Sequence, residues 1–156
     1  MKHKILVAID ESENAKRAVE FVAKTSLPEH EITLFSVIPD TAAICEMNSP
    51  ELTPHFLVHQ VEFCSMEDKK RELVEQAAQK AKEVLQEAGF DEKNITIKMV
   101  NRKKGIARDI INEAHSGYDT VVMGKKGLSG IKEFFLGSVS QKVLHGAGDL
   151  SVLLVN

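Results

Sequence analysis

Glycines at positions 124, 127 and 137, with Ser138 and Ser140 behind the last, are the residues of this chain best suited to holding an anion. They follow a short apolar run, Thr120-Val121-Val122-Met123, with the β-branched content of a buried strand. They precede Val139 to His145, where apolar residues recur at helical spacing. Strand, glycine-spaced loop and helix start together set backbone N–H groups and a positive dipole end around an anion. Glycine also admits a phosphate to the backbone with no Cβ in the way. The spacing Gly124-x2-Gly127-x9-Gly137-Ser138 is not the Walker pattern, since no Gly-Lys-Ser/Thr stands at the right distance. It is not the dinucleotide fingerprint, because no G-x-G-x-x-G follows the first strand. Gly130 falls inside the spacer and only shapes the loop. Ser138 to Gln141 also fit a capping box, which requires no ligand. Lys125 and Lys126 lie within the loop, either in reach of phosphates or simply solvated.

The elements that must position this loop can be taken along the chain. Ile5 to Ile9 is a continuous apolar run, the pattern of a strand buried on both faces. Ser12 reads as an N-cap, and Ala15, Ala18, Val19, Val22 and Ala23 make Glu13 to about Ser26 an amphipathic helix, stopped by Pro28. Ile32 to Ile38 is the second strand. Thr41 to Pro54 carries little signal, and Pro50 and Pro54 argue against a regular element there. A long helix then begins between Phe56 and Met66 and ends at Gly89. Asn94 to Val100 alternates apolar and polar residues, as an edge strand does. Gly105 opens a short helix that ends near Ser116-Gly117, and Val152 to Val155 is a last strand. The expected fold is one α/β domain over 1–156: a five-stranded parallel, Rossmann-like sheet in the order 3-2-1-4-5, with helices on both faces. In such a sheet ligands sit at the carboxyl ends of the strands where the order reverses. Asp10, after strand 1, then faces the glycine loop.

Composition narrows the partners. A net charge of −3 does not suggest a nucleic-acid scaffold, and no apolar run is long enough to span a membrane. Asp10 and Glu11 interrupt the first apolar run too early for a signal peptide. Two cysteines, Cys45 and Cys64, do not look like a disulfide framework, which makes the cytoplasm the simplest location.

The glycine spacing at the end of the fourth strand resembles the ATP-binding signature of the universal stress protein family. The resemblance runs through nearly the whole chain. Ile5 to Asp10 with Ser12 is similar to that family's opening strand and aspartate, and Gly105 to Ile110 to its third-helix entry. Val121 to Gly124, Gly127-Leu128 and Phe135 to Ser140 are the most specific part. The resemblance implies ATP, with Mg²⁺, as the bound cofactor. It implies that Asp10 contacts the nucleoside, that Val37 presents backbone to the adenine, and that Met123 and Gly124 line the ribose side. Gly127, Gly137, Ser138, Val139 and Ser140 would hold phosphates. It further implies a regulatory, stress-response homodimer paired through Val152 to Val155. The family often has a proline before that strand, where this chain reads Asp149-Leu150-Ser151.

No catalytic base, arginine finger or metal carboxylate pair is visible, so ATP would be a bound signal with at most slow hydrolysis. A metal site is not identified, although Asp10 or Ser138 could help hold Mg²⁺. The alternatives are a protein-interaction module on the same fold and an adenylating pyrophosphatase-type enzyme. The latter wants a glycine-serine loop after strand 1, where this chain has Asp10-Glu11-Ser12-Glu13-Asn14. His55 and His59, four apart, and Cys64 are metal-ligand types without a fourth partner. Phe56, Val58, Val61, Phe63 and Met66 are expected to pack against the sheet, with a lid or a partner surface as the other reading. Asn101 to Lys104 is a basic loop, solvated or helping to attract a polyphosphate.

Overall fold

Alternation within β1 (Lys4–Ala8) divides the molecule into two cores. Ile5 and Val7 face one side and Leu6 and Ala8 the other, and both Leu6 and Val7 are fully buried. A computed structural model describes residues 1–47, 51, 53–125 and 136–156. In it β1 is the centre of a five-stranded parallel sheet of order β3-β2-β1-β4-β5, with β2 (Glu31–Ile38), β3 (Ile95–Asn101), β4 (Thr120–Gly124) and β5 (Ser151–Val155). Ile5 stands opposite Ile32 on one side and Thr120 on the other. The expected strand order is the one observed.

On one face α1 (Glu13–Thr25) and the C-terminal half of the long helix, α3 (Pro54–Glu87), close over Ile5, Val7, Ile32 and Leu34. On the other, α4 (Ile106–Ala114) and α5 (Ser138–Gly146) close over Leu6, Phe35 and Val121. The Ser12 hydroxyl caps α1 by accepting the Ala15 N–H at 3.2 Å. Gly105, at φ 135°, begins α4 in a conformation that favours glycine. β3 is an edge strand, as its alternation implies.

Three expectations fail around α3. The helix starts at Pro54, earlier than expected: Thr53 caps it, accepting the Phe56 N–H at 3.3 Å, and Pro54 occupies the first turn, where its missing N–H costs nothing. The proline that argued against structure therefore begins it. A short helix, α2 (Ala42–Cys45), also forms in the stretch that carried little signal. Second, Phe56, Val58, Val61, Phe63 and Met66 do not pack against the sheet; Val61 is 68% and Met66 70% exposed. The helix has 34 residues and so spans roughly 50 Å, whereas the eight residues of β2 span roughly 26 Å. The helix outruns its support, and its first buried residue is Val74. Third, Cys45 and Cys64 are joined in a disulfide, with their Cα atoms 5.9 Å apart. α2 lies against α3 and brings them together, and that contact could not be read from a segment with no periodic pattern.

The basic loop before α4 serves the fold. The buried Asp109 carboxylate accepts the N–H groups of Lys103 at 2.8 Å and Lys104 at 3.1 Å. Burial alone raises its pKa; the backbone donors of Lys103, Lys104 and Gly105 outweigh that and hold the carboxyl below its ordinary value.

Candidate functional site

The carboxyl ends of β1 and β4 diverge where the strand order reverses, and a cleft of about 270 Å³ opens there. Asp10 enters it directly after β1, and Val37 from the end of β2. Met123 and Gly124 enter from the end of β4, and Gly137, Ser138, Val139 and Ser140 from the start of α5. The sheet thus gathers at one place the predicted nucleotide-contacting residues except Gly127, which lies outside the described residues together with Lys126 and Gly130. Apolar walls come from Ile9, Val37 and Ile38 on one side and Ile106 and Ile110 of α4 on the other, above the buried ring of Phe35.

The start of α5 does not adopt the capping box, the alternative reading of Ser138 to Gln141. Gly137, not Ser138, is the N-cap, and among the described residues no side chain caps the helix. Ser138 is inside the first turn, so its hydroxyl has no capping duty. The first intrahelical bond runs from the Gln141 N–H to the Gly137 carbonyl at 2.9 Å. The N–H groups of Ser138, Val139 and Ser140 come ahead of it, as the leading donors of a helix do. Gly137 has φ −57° and ψ 152°, which any residue adopts. Its N–H is held by the Lys125 carbonyl at 3.0 Å, and the Lys125 N–H in turn donates to Val155 at 2.7 Å. The loop is therefore stitched at its base to β5.

Two predicted ligand groups have structural work as well. The Ser140 hydroxyl, 2% exposed, donates to the Gly124 carbonyl at 2.9 Å, so its backbone N–H is the donor left for an anion. One oxygen of Asp10 accepts the Ser12 N–H at 2.8 Å, which fixes the carboxylate at the end of β1. Asn101 to Lys104 do not line the cleft. Among the described residues no three His, Cys, Asp or Glu side chains converge as metal ligands. Cys64 is in the disulfide, and the His55 and His59 rings meet each other, Nε2 to Nε2, at 3.1 Å.

Sequence reasoning missed the roof. Glu67, Lys70, Arg71 and Val74 of α3 border the cleft beside Pro39. A signal was present: Cys64, Glu67, Arg71, Val74, Ala78, Ala81 and Leu85 repeat at steps of three and four. Charges at Glu67 and Arg71 interrupt a stripe that is otherwise core, which marks a helix face turned to a polar cavity.

Comparison with known proteins agrees with this architecture. The model of the universal stress protein family matches residues 1–156. The universal stress protein YxiE of Bacillus subtilis is 29% identical over 146 residues, 92% of each chain. The solved structure of the hypothetical protein MJ0577 superposes with a TM-score of 0.71 at 26% identity, covering 99% of this chain and 96% of that one. A universal stress protein solved in complex with cAMP superposes with a TM-score of 0.62 at 19% identity, covering 99% and 97%. With a five-stranded sheet of this order and a family match over its whole length, the chain belongs to the universal stress protein family.

Proposed function

We propose that the cleft binds ATP, accompanied by Mg²⁺, and that the protein is a regulatory nucleotide-binding member of its family acting in stress response. The observation that carries this reading is the convergence of Asp10 and the start of α5 on one cleft with apolar walls. The apolar side suits a base, a fixed carboxylate suits a ribose, and leading N–H groups with a helix dipole suit phosphates. One protein of this fold, the cAMP complex, has an adenine nucleotide bound. Among the described residues no three His, Cys, Asp or Glu side chains form a cage for a metal, so Mg²⁺ would arrive on the phosphates, and Asp10 or the Ser138 hydroxyl could help hold it. Among the described residues, the side chains bordering the cleft include no histidine or cysteine. ATP is accordingly proposed as a bound signal, with at most slow hydrolysis.

Calorimetry should give a micromolar dissociation constant for ATP. Gly137→Val should weaken binding at least about tenfold, because its backbone angles are ones valine adopts and the added side chain stands at the helix start where a phosphate would approach. Absence of binding by the folded wild type would falsify the reading and favour a protein-interaction module.

A homodimer through β5 belongs to the same proposal. Val152 to Val155 are half-buried, and the outer side of β5 has no neighbouring strand among the described residues. An apolar edge strand of this kind calls for a partner. Sedimentation should show a dimer at tens of micromolar, and a Leu154→Lys variant should shift it to monomer. A wild type that sediments as a monomer overturns the pairing.

A further inference from the structure

We propose that Arg71 is a nucleotide-contacting residue of the cleft and that the Cys45–Cys64 disulfide is the reversible redox clamp that positions it. The proposal rests on the nucleotide reading of the same cleft. Gln60, Cys64, Glu67, Arg71, Val74 and Ala78 follow one another at steps of four and three, so they share one face of α3. That face changes occupation along the helix. At Val74 and Ala78 it is core. At Glu67 and Arg71 it borders the cleft. At Cys64 and Gln60 it is fastened to α2: the disulfide joins Cys64 to Cys45, and the Gln60 side-chain amide donates to the carbonyls of Ile44 and Met47, the latter at 3.0 Å.

This fastening is the main support of the overhang. No residue of α3 before Val74 is buried, so the turn that carries Arg71 has the core on one side only. The disulfide supplies the other anchor, two helical turns away on the same face. It also ties α3 to the segment that leaves β2 through Pro39, itself a wall of the cleft. The clamp therefore fixes both sides of the cleft mouth. Arg71 is the cation placed to use this. It forms no ion pair among the described residues, although Glu67 is one turn away. A guanidinium at the mouth can donate to phosphate or ribose oxygens or stack on a base.

Both cysteines are half-buried rather than enclosed, so a dithiol can reach the bond. Its thiolate attacks one sulfur, the S–S bond breaks, and a mixed disulfide forms. The second thiol resolves it, leaving Cys45 and Cys64 as thiols and the reductant as its own disulfide. Two electrons and two protons pass to the protein. In a thiol-rich compartment this is the direction of reaction, and oxidation restores the clamp.

The test measures ATP affinity by calorimetry in four arms: wild type and Arg71→Ala, each oxidised and each treated with dithiothreitol. Circular dichroism confirms the fold in every arm. The oxidised Arg71→Ala protein should bind about tenfold more weakly than the oxidised wild type. Reduction should weaken the wild type by a similar factor and add little to the loss in Arg71→Ala, because the group that the clamp positions is already gone. A Cys45→Ser/Cys64→Ser variant should match the reduced wild type and ignore the dithiol. Amide exchange through residues 54–71 should quicken on reduction. Equal ATP affinity of oxidised and reduced wild type, or fully additive losses, overturns the clamp and leaves the nucleotide reading standing. No binding in any arm removes both.

Discussion

Phe35→Ala is expected to lower the free energy of unfolding by about 3 kcal/mol and the thermal midpoint by roughly 10 °C, read by chemical and thermal denaturation. Phe35 is 2% exposed and, among the described residues, heads the fully buried side chains by size. It stands on β2, between the central strand and the edge strand, opposite Ala8 on β1 and Lys98 on β3. Its ring packs in the cluster that contains Ala107, Ile110, Val121 and Met123. Truncation removes the transfer free energy of the ring and leaves a hole that rigid strands cannot close. The loss falls at the low end of the usual range because the ring also borders the cleft, and water can enter the vacated space. The same change deepens the cleft floor beneath the proposed base slot. A loss under about 1 kcal/mol would mean that the ring is not seated between β2 and α4 as described.

Much of this architecture is written in period and punctuation. The continuous runs Ile5 to Ile9 and Ile32 to Ile38 identify central strands because each residue, whichever face it takes, must be buried. The alternation through Ile95, Ile97 and Met99 identifies an edge for the opposite reason. Glycines at 124 and 137 can be assigned to one cleft because a parallel sheet brings all its strand ends to one side, whatever the details of packing. The region from Thr41 to Met66 is different. Its helices are defined by contacts rather than by periodicity: α2 has four residues, too few to show a pattern, and the first turns of α3 carry apolar residues on several sides. The disulfide depends on that packing and was invisible for the same reason. The roof residues Glu67 and Arg71 were legible only after the fold showed where their helix face leads. The capping box, the alternative reading of Ser138 to Gln141, is not the one adopted, because the helix begins one residue earlier, at Gly137.

Gly124→Val is expected to cost about 3 kcal/mol or more, by a mechanism distinct from that of Gly137→Val. A Cβ on Gly124 would lie 2.7 Å from the Cβ of Asn14 and 2.8 Å from its backbone carbonyl carbon. The obstacle is the backbone of α1, which cannot swing aside as the end of a long side chain would. Relief requires α1 to lift from β4, and with it Ala15 and Ala18, which are buried in the core beneath. The Gly124 carbonyl meanwhile holds the Ser140 hydroxyl, so displacement of β4 also disturbs the first turn of α5. A packing cost and a ligand cost should therefore appear together in Gly124→Val, whereas the backbone angles of Gly137 are ones valine adopts and its substitution is expected to act mainly on the ligand. Denaturation midpoints and ATP affinities of the two variants separate these roles. If Gly124→Val unfolds at the wild-type midpoint, the close approach of α1 to β4 is not tight, and the glycine's purpose lies wholly in the ligand. If it unfolds early, one glycine of the signature is there to let a helix approach its sheet. The spacing Gly124-x2-Gly127-x9-Gly137-Ser138 is then in part a packing motif and in part a binding one.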